Sequence, residues 1–139
     1  PISTGRCSVT RPDVCPFCHH ESDLLVRGSE HGLILRDRHP VSPGHLLVVP
    51  RRHVGSFFTL DPLEQADLLN LIVAAQRLAV DEHRPDGVNV GLNDGTAAGQ
   101  TIAHCHWHVI PRYRGDVPDP RGGVRWVLPE RAVYWQSKV

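Results

Sequence analysis

An α+β domain with a mainly antiparallel sheet is what this chain of 139 residues predicts. Three observations carry that prediction. Short apolar runs bounded by turn residues recur along the chain. One long stretch, between Asp61 and Arg84, has helical periodicity with clear start and stop signals. No internal repeat is present.

The elements follow in order. Residues 1–12, Pro1 to Pro12, show no periodicity and are expected to form a flexible N-terminal segment, leaving 13–139 as a single domain. A domain of this length can bury about two-thirds of its unfolded surface around one core. Strands are expected over Leu24 to Arg27, Gly32 to Arg36 and Leu46 to Val49. The turn-rich stretch from Asp37 to His45 between the last two reads as a loop. Asp61 then serves as N-cap, Pro62 takes the first helical position and Glu64 completes a capping box. Leu69, Ile72 and Val73 mark an apolar stripe, and Pro85 stops the helix after Arg84. Gly87 to Leu92 reads as a strand, followed by the glycine-rich loop Asn93 to Gln100. A further strand spans Thr101 to Ile110 and ends at Pro111; a last short one is expected over Val124 to Leu128.

Composition removes several function classes. The 15 basic and 15 acidic residues balance, so neither nucleic acid nor an anionic membrane is an expected partner. Of the basic residues one is a lysine, Lys138, which argues against Schiff-base chemistry and a Walker-type phosphate loop. No apolar run reaches the roughly twenty residues of a spanning helix, and the first residues carry no signal-peptide pattern. The four cysteines are Cys7, Cys15, Cys18 and Cys105, and only Cys15 and Cys18 form a C-x-x-C pair. That is a poor disulfide framework and a reasonable metal half-site, so a cytoplasmic location is expected.

The chemistry concentrates in His104-Cys105-His106-Trp107-His108. On a strand, residues two apart share a face and lie about 6.7 Å apart, so three imidazoles point one way. Cys105, Trp107 and Val109 point the other way, toward the helix. Three readings stand open on spacing alone: a polar solvent-facing strand, a three-histidine metal site, and a nucleophilic imidazole attacking phosphorus near neutral pH. The preceding loop favours an anion. Gly95, Ala97, Ala98 and Gly99 leave backbone N–H groups accessible, although Asn93-Asp94-Gly95 would serve equally as a plain hairpin turn.

The run His104 to Ile110, a His-x-His-x-His followed by apolar residues, resembles the signature of the histidine triad (HIT) family. Asn93-Asp94-Gly95 and Ala98-Gly99-Gln100-Thr101 are similar to its lead-in, and Pro43 to His53 resembles its nucleotide-side strand. Asp119 to Trp126 is similar to bacterial members described as dinucleoside polyphosphate hydrolases. The similarity runs over roughly residues 15 to 128. It implies a five-stranded antiparallel sheet with one long helix, continued into ten strands across a homodimer. It also implies attack by His106 on the α-phosphate of an adenosine-type (di)nucleotide, giving a nucleotidyl-histidine that water hydrolyses. On the same resemblance His108 would hydrogen-bond the phosphate, Asn93, Gly99, Gln100 and Thr101 would line the phosphate path, and Asp37 would hold the ribose hydroxyls. His45 would lie near the base.

Some members of the family bind zinc, and the matching residues here are Cys15, Cys18, His53 and His104, a closed tetrahedral set of the structural kind. His19 and His20 are competing candidates, disfavoured by the strain of a chelate adjacent to Cys18. Magnesium would arrive, if at all, with a polyphosphate substrate. Two other activities remain: a nucleoside phosphoramidate hydrolase, and a non-catalytic nucleotide-binding protein.

Overall fold

The computed structural model describes residues 11–136. The expected flexible segment lies almost wholly outside them, as does Cys7; at its end, Pro12–Val14 is a 3-10 turn. Five strands form one sheet: Leu25–Gly28 (β1), Gly32–Arg36 (β2), Leu46–Pro50 (β3), Gly87–Leu92 (β4) and Trp107–Arg112 (β5). Their spatial order is β1-β2-β3-β5-β4, and every neighbouring pair is antiparallel.

One long helix, Pro62–His83 (α1), lies against β2, β3 and β5. Its ends follow the local chemistry. Glu64 accepts from the Asp61 backbone N–H at 3.2 Å to close the capping box. At the other end Arg84 adopts a left-handed conformation with φ 50°, and Pro85 prevents continuation. The inward stripe differs from the expected one. Glu64, Leu68, Leu71, Ala75 and Ala79 are buried, whereas Leu69 and Val73 are 49% and 51% exposed. The helix is apolar around much of its circumference, so composition alone leaves its rotation open. The small Ala75 and Ala79 let that side approach the sheet most closely. Gly32 serves the same close approach, because a Cβ there would meet Leu68 at 2.5 Å and Leu71 at 2.7 Å.

The sheet has two unequal faces. Ile34, Leu46, Val48, Cys105 and Val109 pack with Leu68, Leu71 and Ala75 under α1. On the opposite face Leu33, Leu35, Leu47 and Val49 form a second cluster, joined by Phe17 from the N-terminal segment. Register puts His108 on that second face, opposite Leu47 on one side and Gly91 on the other.

Three boundaries depart from expectation. The first strand is shifted to Leu25–Gly28, since Ser22–Leu24 forms a 3-10 turn. The histidine segment becomes strand only at Trp107. Before that, Cys105 N–H donates to Val54 O at 2.7 Å, so this stretch runs along the loop after β3. The alternation of faces survives, since Cys105 and Trp107 both pack in the helix-side core. Val124 to Leu128 is not a strand. Gly123–Val127 is a 3-10 turn set up by Gly122 and Gly123, at φ 95° and 47°, and Pro129–Ala132 (α2) follows.

Candidate active site and metal centre

His106 and His108 open onto a cavity of about 430 Å³ on the sheet face opposite α1. Its walls come from Phe17 in the N-terminal segment, Asp37 after β2, Leu47 on β3, and Asn93, Gly99 and Thr101 after β4. A larger groove of about 660 Å³, along Arg112, Tyr113 and Trp126, contains none of the histidines.

Hydrogen bonds fix which nitrogen of each ring carries its proton. His106 Nδ1 lies 2.8 Å from the His104 carbonyl, so Nδ1–H donates and Nε2 is left as the basic nitrogen. Val41 N–H donates to His45 Nδ1 at 3.2 Å, which puts the His45 proton on Nε2. His45 Nε2–H in turn donates to His108 Nδ1 at 2.9 Å, leaving Nε2–H of His108 as a donor. The His106 and His108 rings meet edge to face at 5.2 Å. Burial is the main cause holding His108 at about 4, helped by neighbouring His106 and His45 against the pull of Asp37. Burial likewise lowers His45, opposed by Asp37. Both rings are therefore neutral near pH 7. The site offers one basic nitrogen beside one N–H donor.

His104 faces elsewhere. It is fully buried, and its Nε2–H donates to Pro50 O at 2.8 Å, so Nδ1 keeps a lone pair. That Nδ1 lies 3.2 Å from His53 Nδ1, 3.5 Å from Cys15 Sγ and 3.6 Å from Cys18 Sγ, and Cys18 Sγ is 3.2 Å from His53 Nδ1. All four ligand atoms lie within 4.8 Å of one another. A tetrahedral ion bound at usual metal–sulfur and metal–nitrogen distances requires edges of about 3.5 Å for S···N and about 3.3 Å for N···N. The observed separations fit, and the Pro50 carbonyl orients His104 as a metal-binding histidine requires. The cluster could hold a metal ion. Burial, then the adjacent Cys15, pushes the Cys18 thiol up to about 11, a shift a bound cation would reverse. His19 and His20 are not in this cluster. Among the described residues the remaining group of three or more metal-type ligands is Asp37, His45 and His108, and no all-oxygen set suited to magnesium occurs.

Asp37, Asn93, Gly99, Thr101, His106 and His108 converge on the cavity, whereas Gln100 and His45 do not line it. The Gln100 amide donates to Gly55 O and Ile102 O and accepts from Gly95 N–H, so it staples the loop to its surroundings. The loop also uses its own N–H groups internally: Ala98, Gly99 and Gln100 all donate to loop carbonyls, which removes them from the anticipated anion cradle. His45 stands behind His108 instead, with its Nε2 2.9 Å from His108 Nδ1. Asp37 lines the cavity while accepting from His39 N–H at 2.7 Å and lying 3.4 Å from His45 Nε2. Sequence reading missed Phe17, whose place between two metal-type cysteines was the available signal.

A helix-backed antiparallel sheet whose free face carries a buried, tautomer-fixed histidine series defines the histidine-triad class of domain. The chain belongs to the HIT family: the HIT domain model matches residues 20–115. Among its relatives, the protein named AP-4-A phosphorylase from Mycobacterium tuberculosis is 41% identical over 102 residues, 73% of this chain and 52% of that protein. The asymmetrical bis(5'-nucleosyl)-tetraphosphatase of Schizosaccharomyces pombe is 39% identical over 77 residues, covering 55% of this chain and 42% of that one. The chain thus spans about half the length of these relatives. Among solved structures, a Zn-bound histidine triad family protein from Mycobacterium smegmatis is similar at 30% identity and a TM-score of 0.68, covering 84% of this chain and 92% of that one. A HIT family protein from Bacillus anthracis matches at 35% identity and a TM-score of 0.63, over 66% of this chain and 65% of the other. Among the described residues, no helix is long and apolar enough to cross a membrane.

Proposed function

We propose that this chain transfers or hydrolyses nucleotides at the α-phosphate of adenosine-type (di)nucleotides, with His106 as nucleophile. The observation that carries the reading is the His106 Nδ1–H bond to the His104 carbonyl, which leaves Nε2 basic on a ring lining the cavity. Attack forms an Nε2–P bond and breaks the bond from phosphorus to the leaving oxygen. In the second step an acceptor oxygen, water in hydrolysis, bonds to phosphorus while the N–P bond breaks and returns the lone pair to Nε2, and the proton of the attacking water passes to solvent. His108 Nε2–H donates to phosphoryl oxygen, and Asn93 and Thr101 line the path beside it. Asp37 accepts from ribose hydroxyls, and the apolar wall of Phe17 and Leu47 takes the base.

A polyphosphate rather than an amine is the leaving group that the relatives support, since they are named for AP-4-A and bis(5'-nucleosyl)-tetraphosphate chemistry.

Zinc is the ion whose ligand preferences match Cys15, Cys18, His53 and His104, and with four protein ligands it would act structurally. It would tie the N-terminal segment and the loop after β3 to the chain beside His106. The unpaired thiols suit a reducing compartment such as the cytoplasm. Among the described residues β1 and β4 are the edge strands, and a homodimer pairing through one of them would extend the sheet to ten strands.

The test is a rapid acid quench with labelled dinucleoside tetraphosphate, beside a panel that includes adenosine phosphoramidates. Wild type is expected to trap a nucleotidyl adduct, and His106→Ala and His106→Asn to lose both adduct and turnover, by about 10³-fold or more. Full turnover in His106→Asn would remove the proposal. Nucleotide binding without turnover of any substrate would make the chain a non-catalytic binder.

A further inference from the structure

Cys15-Pro16-Phe17-Cys18 closes as a turn, with His19 N–H donating to Cys15 O at 3.0 Å, and Pro16 and Phe17 both reach the cavity wall. Phe17 meets three parts of the molecule at once. Its ring centroid is 4.9 Å from that of His106, tilted by 48°, and 5.7 Å from that of His104, nearly perpendicular at 78°. It also packs on Leu33, Leu35, Leu47 and Val49.

That cluster lies on the sheet face away from α1. Among the described residues, Phe17 is the partly buried apolar side chain packed over it. The ring is thus carried on the short turn bracketed by Cys15 and Cys18 rather than on a helix. Aromatic contacts depend strongly on tilt and separation, so a ring fixed at this distance constrains the imidazole beside it. The His106 Nδ1–H bond fixes one edge of that imidazole and the His108 ring meets it at 5.2 Å, so Phe17 is a further restraint on it.

We propose that Phe17 is a positioning residue coupling the metal centre to the nucleotide cavity. Anchored by Cys15 and Cys18, its ring holds the His106 imidazole in its attacking orientation and supplies apolar wall against the nucleobase. The occupant of the cavity rests on the function proposed above; the contact between Phe17 and His106 does not. An ion that takes no part in the chemistry would thus be felt at the nucleophile. Losing it frees the turn, the turn frees the ring, and His106 and the base wall loosen together.

The experiment uses zinc-loaded wild type, Phe17→Leu and Phe17→Ala, each measured again after chelation. Metal stoichiometry, AMP affinity by calorimetry and the ¹⁵N spectrum of the His106 ring at one fixed pH are read on the same samples. All three proteins are expected to hold about one zinc per chain. Phe17→Ala should raise the AMP Kd roughly tenfold and Phe17→Leu less, while the His106 Nδ1–H signal, sharp in wild type, broadens. Chelation should raise the wild-type Kd by a similar factor and add little in Phe17→Ala, because both changes cut the same link. Independent, multiplying effects overturn the proposal. So does an unchanged His106 spectrum in a zinc-retaining variant, and Phe17→Leu decides that point should Phe17→Ala lose its metal. If zinc-loaded wild type fails to bind AMP, the function falls, and the His106 spectrum still decides the coupling.

Discussion

His45 is 4% exposed, does not line the cavity that His106 and His108 face, and links the backbone to His108 through its two ring nitrogens. Nδ1 accepts from Val41 N–H at 3.2 Å, a bond that serves the fold. Nε2–H donates to His108 Nδ1 at 2.9 Å, a bond that serves the site by fixing its tautomer. His45→Ala removes both and leaves a buried void. The cavity and the lost hydrogen bond to Val41, whose N–H water can then reach, together cost about 2–4 kcal/mol of stability. Losing the partner that orients a working histidine costs roughly tenfold to a hundredfold in kcat. Conservative variants separate the two losses. The side-chain oxygen of asparagine sits near Nδ1 and can accept from Val41, whereas the amide nitrogen of glutamine reaches near Nε2 and can donate to His108. His45→Asn is therefore expected to recover most of the urea midpoint but little kcat, and His45→Gln the reverse. Steady-state kinetics and urea unfolding on the three variants read both quantities. Stability and kcat moving in parallel across Ala, Asn and Gln would refute the relay.

Further predictions concern acid, metal and packing. His108 is held at about 4 against an ordinary 6.5, so the unfolded chain takes up its proton first as pH falls. Its contribution to stability is complete above about pH 6.5 and is lost on the way down to about pH 4. The limit is about 3 kcal/mol, reduced by the ring's partial exposure. Urea midpoints across that window should fall less steeply in His108→Gln than in wild type, and equal slopes would contradict the shift. Zinc at about a thousandfold its Kd should add about 4 kcal/mol, or roughly 10–15 °C in Tm. Cys18→Ser should abolish that gain, and a melting curve indifferent to zinc would exclude a structural metal. Gly32→Ala should lose about 1–3 kcal/mol, because its Cβ would fall 2.5 Å from Leu68 and 2.7 Å from Leu71; an unchanged midpoint would show that α1 can move aside.

How much of this could be read without coordinates depends on the range of the interactions. The start and stop of α1, the strand Gly87–Leu92 and the alternation through Cys105, Trp107 and Val109 rest on neighbours a few residues apart, and local chemistry fixed them. The Cys15-Cys18 pair and the His-x-His-x-His run likewise marked out residues that meet in the metal-type cluster and along the cavity. Which side of α1 turns inward was not local, since Leu69 and Leu68 are equally apolar and only the approach to Gly32 distinguishes them. The late start of β5 and the 3-10 turn at Gly123–Val127 likewise follow from distant partners and from glycine dihedrals.

The same division runs through the site. Sequence singled out most of the side chains that gather at the two clusters. Only the tertiary structure decided their division of labour: His104 turned toward Cys15, Cys18 and His53, His106 left basic at Nε2, and His45 set behind His108 rather than beside a base. Those roles depend on which carbonyl or ring nitrogen stands 2.8–2.9 Å away, and the partners come from segments up to 63 residues distant. A proton's place on an imidazole is set by its partner in space, and spacing along the chain cannot specify that partner.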